Sequence, residues 1–146
     1  MRLRTQFSSF AKSKIDMTKN RIHQFLTYCI AVVWIANGLF CKVLNLVPRH
    51  QQIVARILGD DHARTFTLVI GILEICMGIW VISKIQSSLN AVSQIIIIAT
   101  MNTLEFIYVP DLLLWGRMNA LFAFVFIVVI YLNEFYLNKK FTPAKY

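Results

Sequence analysis

Four long apolar windows dominate the chain, over residues 25–46, 65–83, 89–109 and 113–136. Each is close to the ~20 residues a helix needs to cross the hydrocarbon core of a bilayer. None shows the strict apolar–polar alternation over ~10 residues that marks a membrane barrel strand. A different pattern fills the gap between the first two windows. After Pro48, the residues Ile53, Val54, Ile57 and Leu58 share one helical face, opposed by Arg49, Gln52 and Arg56. Pro48 is expected to end the first span. Gly59 is expected to stop the amphipathic helix, and Asp60 or Asp61 to cap the next one. The remaining connections, about residues 84–88 and 110–112, are short and favour antiparallel neighbours. The pattern therefore predicts an all-α integral membrane four-helix bundle, up-down-up-down, with a short amphipathic helix in the first outer loop. It occupies residues 23–136, between an N-terminal basic tail (1–22) and a C-terminal one (137–146).

Composition agrees with lipid as the solvent. The chain is 58% hydrophobic and 15% charged, where soluble domains average about 45–50% and about 25%. The net charge of +8 would suggest nucleic acid in a soluble protein, but no reading motif accompanies it. Its distribution points elsewhere. Arg2, Arg4, Lys12, Lys14, Lys19, Arg21, Lys84, Lys139, Lys140 and Lys145 all fall on one side of the predicted spans. The positive-inside rule puts that side, and both termini, in the cytoplasm, and a bacterial inner membrane is the expected location. A basic tail of this kind also attracts anionic lipid. Three cysteines (Cys29, Cys41, Cys76) lie within the spans without CxxC spacing and read as reduced small hydrophobes.

Polar residues inside the spans carry the candidate chemistry, because each charge there costs about 2.5–3.5 kcal/mol on insertion scales. The first span holds Asn37, Lys42 and Asn45; the second Thr67 and Glu74, on a face with Gly71 and Gly78 that lets another helix approach. The third holds Gln94, Asn102 and Glu105, and the fourth Arg117 and Asn119. Most fall in the outer half. Asn37, Lys42, Glu74, Asn102, Glu105 and Asn119 are therefore expected to converge on one polar pocket, with Arg49, His50 and Arg117 at its rim. Two readings compete: a buried network in which Lys42 neutralises Glu74 or Glu105 to fix register, and a ligand or proton site. No nucleophile–base set, GxGxxG or P-loop is present, so no catalytic residue is assigned. His23 and His62 look peripheral, and no two histidines share a helix at ligand spacing, so neither a metal site nor a haem is expected.

The segment Trp34-x-x-Asn37-Gly38-Leu39-x-x-Lys42-Val43-Leu44, followed by Val47-Pro48-x-His50-x-x-Ile53-Val54-x-x-Ile57-Leu58-Gly59, resembles the first helix and loop of DoxX-like membrane proteins. Ile70-Gly71-x-x-Glu74-x-x-x-Gly78-x-Trp80, Met101-Asn102-x-x-Glu105 and Asn119 continue the likeness across the other spans. The resemblance implies a small membrane subunit that accompanies oxidoreductases, or an assembly factor. With no cofactor motif in this chain, redox chemistry would come from a partner: another membrane protein or an oxidoreductase subunit. The expected function is that of an accessory subunit of a quinone-linked redox system, its pocket holding a quinone head group or a small anion. A structural or assembly protein without a ligand is the alternative. A small proton or solute permease working as a homo-oligomer is the second.

Overall fold

The computed structural model describes residues 2–113 and 115–138, with side chains from residue 13 onward. Helix α1 spans Arg2–Ala36 and continues as a π-helical stretch, Asn37–Val43. Then come α2 (Arg49–Leu58), α3 (Ala63–Ser83), α4 (Ser87–Tyr108) and α5 (Met118–Tyr131), the last extended by a second π-helical stretch, Leu132–Leu137. There is no strand among the described residues. Four segments are long and apolar enough to cross a membrane: Ser13–Val43, Ala63–Ser83, Ser87–Tyr108 and Met118–Leu137. The bundle is all-helical, as the apolar windows predict.

Its surface is inverted relative to a soluble protein. Leu73, Ile107 and Phe124 are each more than 60% exposed, whereas Lys42, Asn90, Gln94, Asn133 and Glu134 are buried. Exposed apolar side chains on every span suit hydrocarbon as the surrounding medium, and polar groups then have to satisfy one another inside.

Helices α1 and α3 make the closest approach, and glycine permits it. A methyl group added at Gly38 would stand 2.5 Å from the carbonyl oxygen of Gly71, and one at Gly78 would stand 2.6 Å from Ile35 Cγ1. Helix α4 packs chiefly on α5, while consecutive α3 and α4 touch only thinly. The bundle is thus two tight pairs, with an apolar cluster that includes Ile30, Trp34, Met77, Ala91, Ile98 and Ile130, and polar side chains, between them.

One end, the outer end of the sequence-based reading, is covered by α2; it is the capped end. The other, where α3 turns into α4 at Lys84–Gln86, is the turn end. At the capped end α1 stops before Pro48: the backbone reverses at Asn45 (φ 52°), and Pro48 is the N-cap of α2. The guanidinium of Arg64 does the terminating. It donates to the carbonyl oxygens of Lys42 (2.7 Å) and Val43 (2.8 Å), satisfying acceptors that a helix end leaves open. Buried Ile53 and Val54 seat α2, and Gly59 ends it at φ 99°. Neither Asp60 nor Asp61 caps α3; His62 is the N-cap and makes no side-chain cap bond. The fourth span begins at Met118 rather than residue 113, because residues 110–112 and 115–117 form turns. The basic region 1–22 contains no break in helix from Arg2 onward. Lys139, Lys140 and Lys145 of the C-terminal tail lie outside the described residues.

Candidate functional site

Asn37 and Lys42 are five residues apart. At 3.6 residues per turn they would point about 140° away from each other. The π-helical stretch begins at Asn37, and its i→i+5 bonding brings residues five apart onto one face. Both side chains consequently reach the same carboxyl group. Lys42 Nζ lies 2.8 Å from each oxygen of Glu74, and Asn37 Nδ2 donates to the same two oxygens at 3.2 and 3.1 Å. Gly71, one turn before Glu74 on α3, lets the Lys42 stem cross the helix surface.

A second set comes from α4 and α5. Asn119 Nδ2 donates to Asn102 Oδ1 at 3.3 Å and to Glu105 Oε2 at 3.4 Å, and Asn102 Nδ2 donates to the Ile98 carbonyl oxygen at 3.0 Å. The bonds to Asn102 and Glu105 are long, so neither acceptor is firmly held. The two sets face each other across a cavity of about 310 Å3 beneath α2. All six residues expected to converge line it: Asn37, Lys42, Glu74, Asn102, Glu105 and Asn119. His50 enters from α2, while Val33, Trp34, Ile97, Met101, Phe122 and Phe126 supply apolar walls. His50 titrates at about 4 instead of 6.5, chiefly through burial and then through the positive charges of Lys42 and Arg49. It is uncharged at neutral pH.

The rim differs from expectation. Arg49 does not line the cavity, and its Nε is buried without a hydrogen-bond partner. Arg117 also stays off the wall; its guanidinium lies over the Phe106 ring, 5.4 Å from the centroid. As the N-cap of α5 it sits outside the span and turns toward the aromatic surface of α4.

An apolar groove of about 430 Å3 opens where α3 and α4 separate, lined by residues such as Ile70, Leu73, Cys76 and Met77. It shares Trp34, Glu74, Ile97 and Met101 with the polar cavity. The cavity and the apolar groove therefore adjoin each other along these four residues.

A second polar cavity, about 220 Å3, lies toward the turn end. Buried Glu134 accepts from Ser87 Oγ (2.7 Å), Ser88 Oγ (3.3 Å) and Asn138 Nδ2 (3.1 Å). His23 is no bystander here: its Nδ1 lies 3.0 Å from the Asn133 carbonyl oxygen and 3.1 Å from Asn133 Oδ1. Between the two cavities, Trp34 Nε1 donates to Gln94 Oε1 (2.7 Å), and Gln94 Nε2 donates to Asn90 Oδ1 (2.6 Å). Trp34 faces the first cavity; Gln94 and Asn90 face the second. Sequence reasoning missed this cluster. Asn133 and Glu134 sit at a span end, where polar residues normally meet water, and only the second π-helical stretch turns them inward.

Among the described residues no three His, Cys, Asp or Glu side chains stand close enough together to hold a metal ion. Cys29, Cys41 and Cys76 are free thiols.

Four apolar spans around a polar interior define a small polytopic membrane protein. A family model described as the DoxX-like family matches residues 31–132, from α1 to the start of the second π-helical stretch, and the chain belongs to that family. No curated protein and no solved structure shows a significant match.

Proposed function

We propose that the protein is an accessory integral-membrane subunit of a quinone-linked redox system, holding a quinone or quinol head group in the capped-end cavity. The observation that carries this reading is that the polar cavity and the apolar groove adjoin each other, sharing Trp34, Glu74, Ile97 and Met101. An amphiphile with a hydrogen-bonding head and a hydrocarbon tail matches that shape: the head meets Glu105, Asn102 and Asn119, and the tail lies between α3 and α4. A small anion fits less well. The cavity offers one cation, Lys42, to two carboxyl groups; Lys42 is already spanned by Glu74, and His50 brings no charge at neutral pH. A neutral head with both donors and acceptors suits such a lining.

The alternative, a structural or assembly protein, is favoured by the Lys42–Glu74–Asn37 network, which satisfies itself without a guest. A permease is the weaker reading, because the Trp34–Gln94–Asn90 chain stands between the cavities. The cluster of Lys14, Lys19, Arg21 and Lys84 toward the turn end supports a cytoplasmic location for that end in a bacterial inner membrane. The partner is another membrane protein or an oxidoreductase subunit, with a second copy of the chain as a further candidate.

The test is titration of detergent-purified protein with a short-tailed quinone, followed through tryptophan fluorescence. Saturable quenching weakened about tenfold by Asn119→Ala, the loss expected for a hydrogen bond to a buried group, supports the reading. Absence of saturable quenching in the wild type overturns it and leaves the structural alternative.

A further inference from the structure

The turn-end cavity belongs to none of this. Its deepest charged group is Glu134, 5% exposed, at the last turn of the fourth span. Three donors converge on one oxygen, Oε1. Among the described residues, Oε2 receives no hydrogen bond and Glu134 forms no ion pair. This oxygen is open to the cavity, where an incoming cationic donor can reach it. The cavity also has a cation of its own, Lys84, which is exposed at its rim. Lys84 caps α3 in a left-handed conformation (φ 55°), at the level where α3 and α4 end. That level is the boundary between hydrocarbon and head groups.

A buried acceptor for an ammonium below an exposed cation is the inverse of a zwitterion. We propose that this cavity is a binding site for the head group of a phospholipid bearing a primary amine: the ammonium on Glu134 Oε2, the phosphate at Lys84. A primary ammonium brings three N–H donors for Glu134 and the cavity's amide oxygens, whereas a trimethylammonium brings none and would leave Oε2 unsatisfied. The site is separated from the capped-end cavity by the Trp34–Gln94–Asn90 chain, so it stands or falls independently of the quinone reading.

The experiment is native mass spectrometry of the full chain released from nanodiscs of mixed phosphatidylethanolamine and phosphatidylcholine. Wild type is expected to retain phosphatidylethanolamine with about tenfold preference, the worth of one charge-assisted hydrogen bond to a buried group. Glu134→Gln, which keeps size and one acceptor oxygen, is expected to abolish the preference. Lys84→Met is exposed and should fold regardless, and it is expected to weaken retention of both lipids while leaving the ratio intact. Equal retention of the two lipids by wild type overturns the proposal, as does an unchanged preference in Glu134→Gln. Displacement of the lipid by millimolar free phosphoethanolamine assigns the site to a soluble amine and overturns the lipid assignment.

Discussion

The indole of Trp34 and the amide of Gln94, 60 positions apart in sequence and 2.7 Å apart in space, form the partition between two polar cavities in one bundle. Both residues are almost fully buried. An indole only donates, and neither it nor an amide gains or loses a proton near neutral pH, so the chain holds no titratable relay group. Trp34→Phe keeps the ring and removes the donor. Gln94 Oε1 is then a buried acceptor without a partner, and the expected loss of stability is about 1–3 kcal/mol. Unfolding in mixed micelles measures it; an unchanged transition would mean that water replaces the indole without cost.

The Lys42–Glu74 pair should behave as a unit. Glu74→Gln leaves a buried ammonium without its counter-charge and is expected to cost about 3–5 kcal/mol. Adding Lys42→Met to that variant should recover most of the loss, since the orphaned charge is gone. A double-mutant cycle reads the coupling, and additive effects would show that the two side chains are not paired in solution.

His50 gives a pH signature. Its pKa of about 4 lies below the unfolded value near 6.5, so the unfolded chain binds more protons between those values. Stability contributed by neutral His50 is therefore intact above pH 6.5, falls as the pH drops through this window, and is fully lost below about 4. His50→Gln should flatten the stability profile over pH 4–6.5 relative to wild type, measured as the difference between the two melting curves. An identical slope would place His50 in water rather than in the cavity.

Gly38 tests the helix contact. Its missing Cβ lets the Gly71 carbonyl oxygen approach, and the obstacle to a methyl group is backbone that cannot swing aside. Gly38→Ala is expected to cost about 1–3 kcal/mol, the usual penalty of overpacking. It should also displace Lys42 from Glu74, which a crosslink between cysteines placed on α1 and α3 would report as reduced yield.

The spans, their antiparallel order and the amphipathic α2 were legible because they rest on apolar length and helical periodicity, which sequence states directly. The convergence of Asn37, Lys42, Glu74, Asn102, Glu105 and Asn119 was legible for a related reason: polar groups in hydrocarbon have nowhere to go but toward each other. Other features depend on how helices end. Arg64 closes the carbonyls of Lys42 and Val43, a job that turns on a backbone reversal at Asn45. Pro48 looked like the stop signal and is instead the N-cap of α2. Arg117 had the right depth for a rim residue, but its neighbour Phe106 offered a ring face to stack on. Glu134 and His23 were hidden by position alone, near span ends where charge needs no special explanation.

The π-helical stretch at Asn37–Val43 makes the capped-end cavity a matter of counting rather than of chemistry. A wide turn holds one residue more than the helix on either side would accommodate, so deleting a single residue between Gly38 and Cys41 would let the ordinary ladder close. Asn37 would keep its place, and the ammonium, now four positions along an ordinary helix, would stay within about 40° of it and still face α3. A shortened chain with every polar group retained would keep the shared grip on Glu74. An ordinary helix with no residue removed would instead turn Lys42 about 140° from Asn37, and the site would be gone.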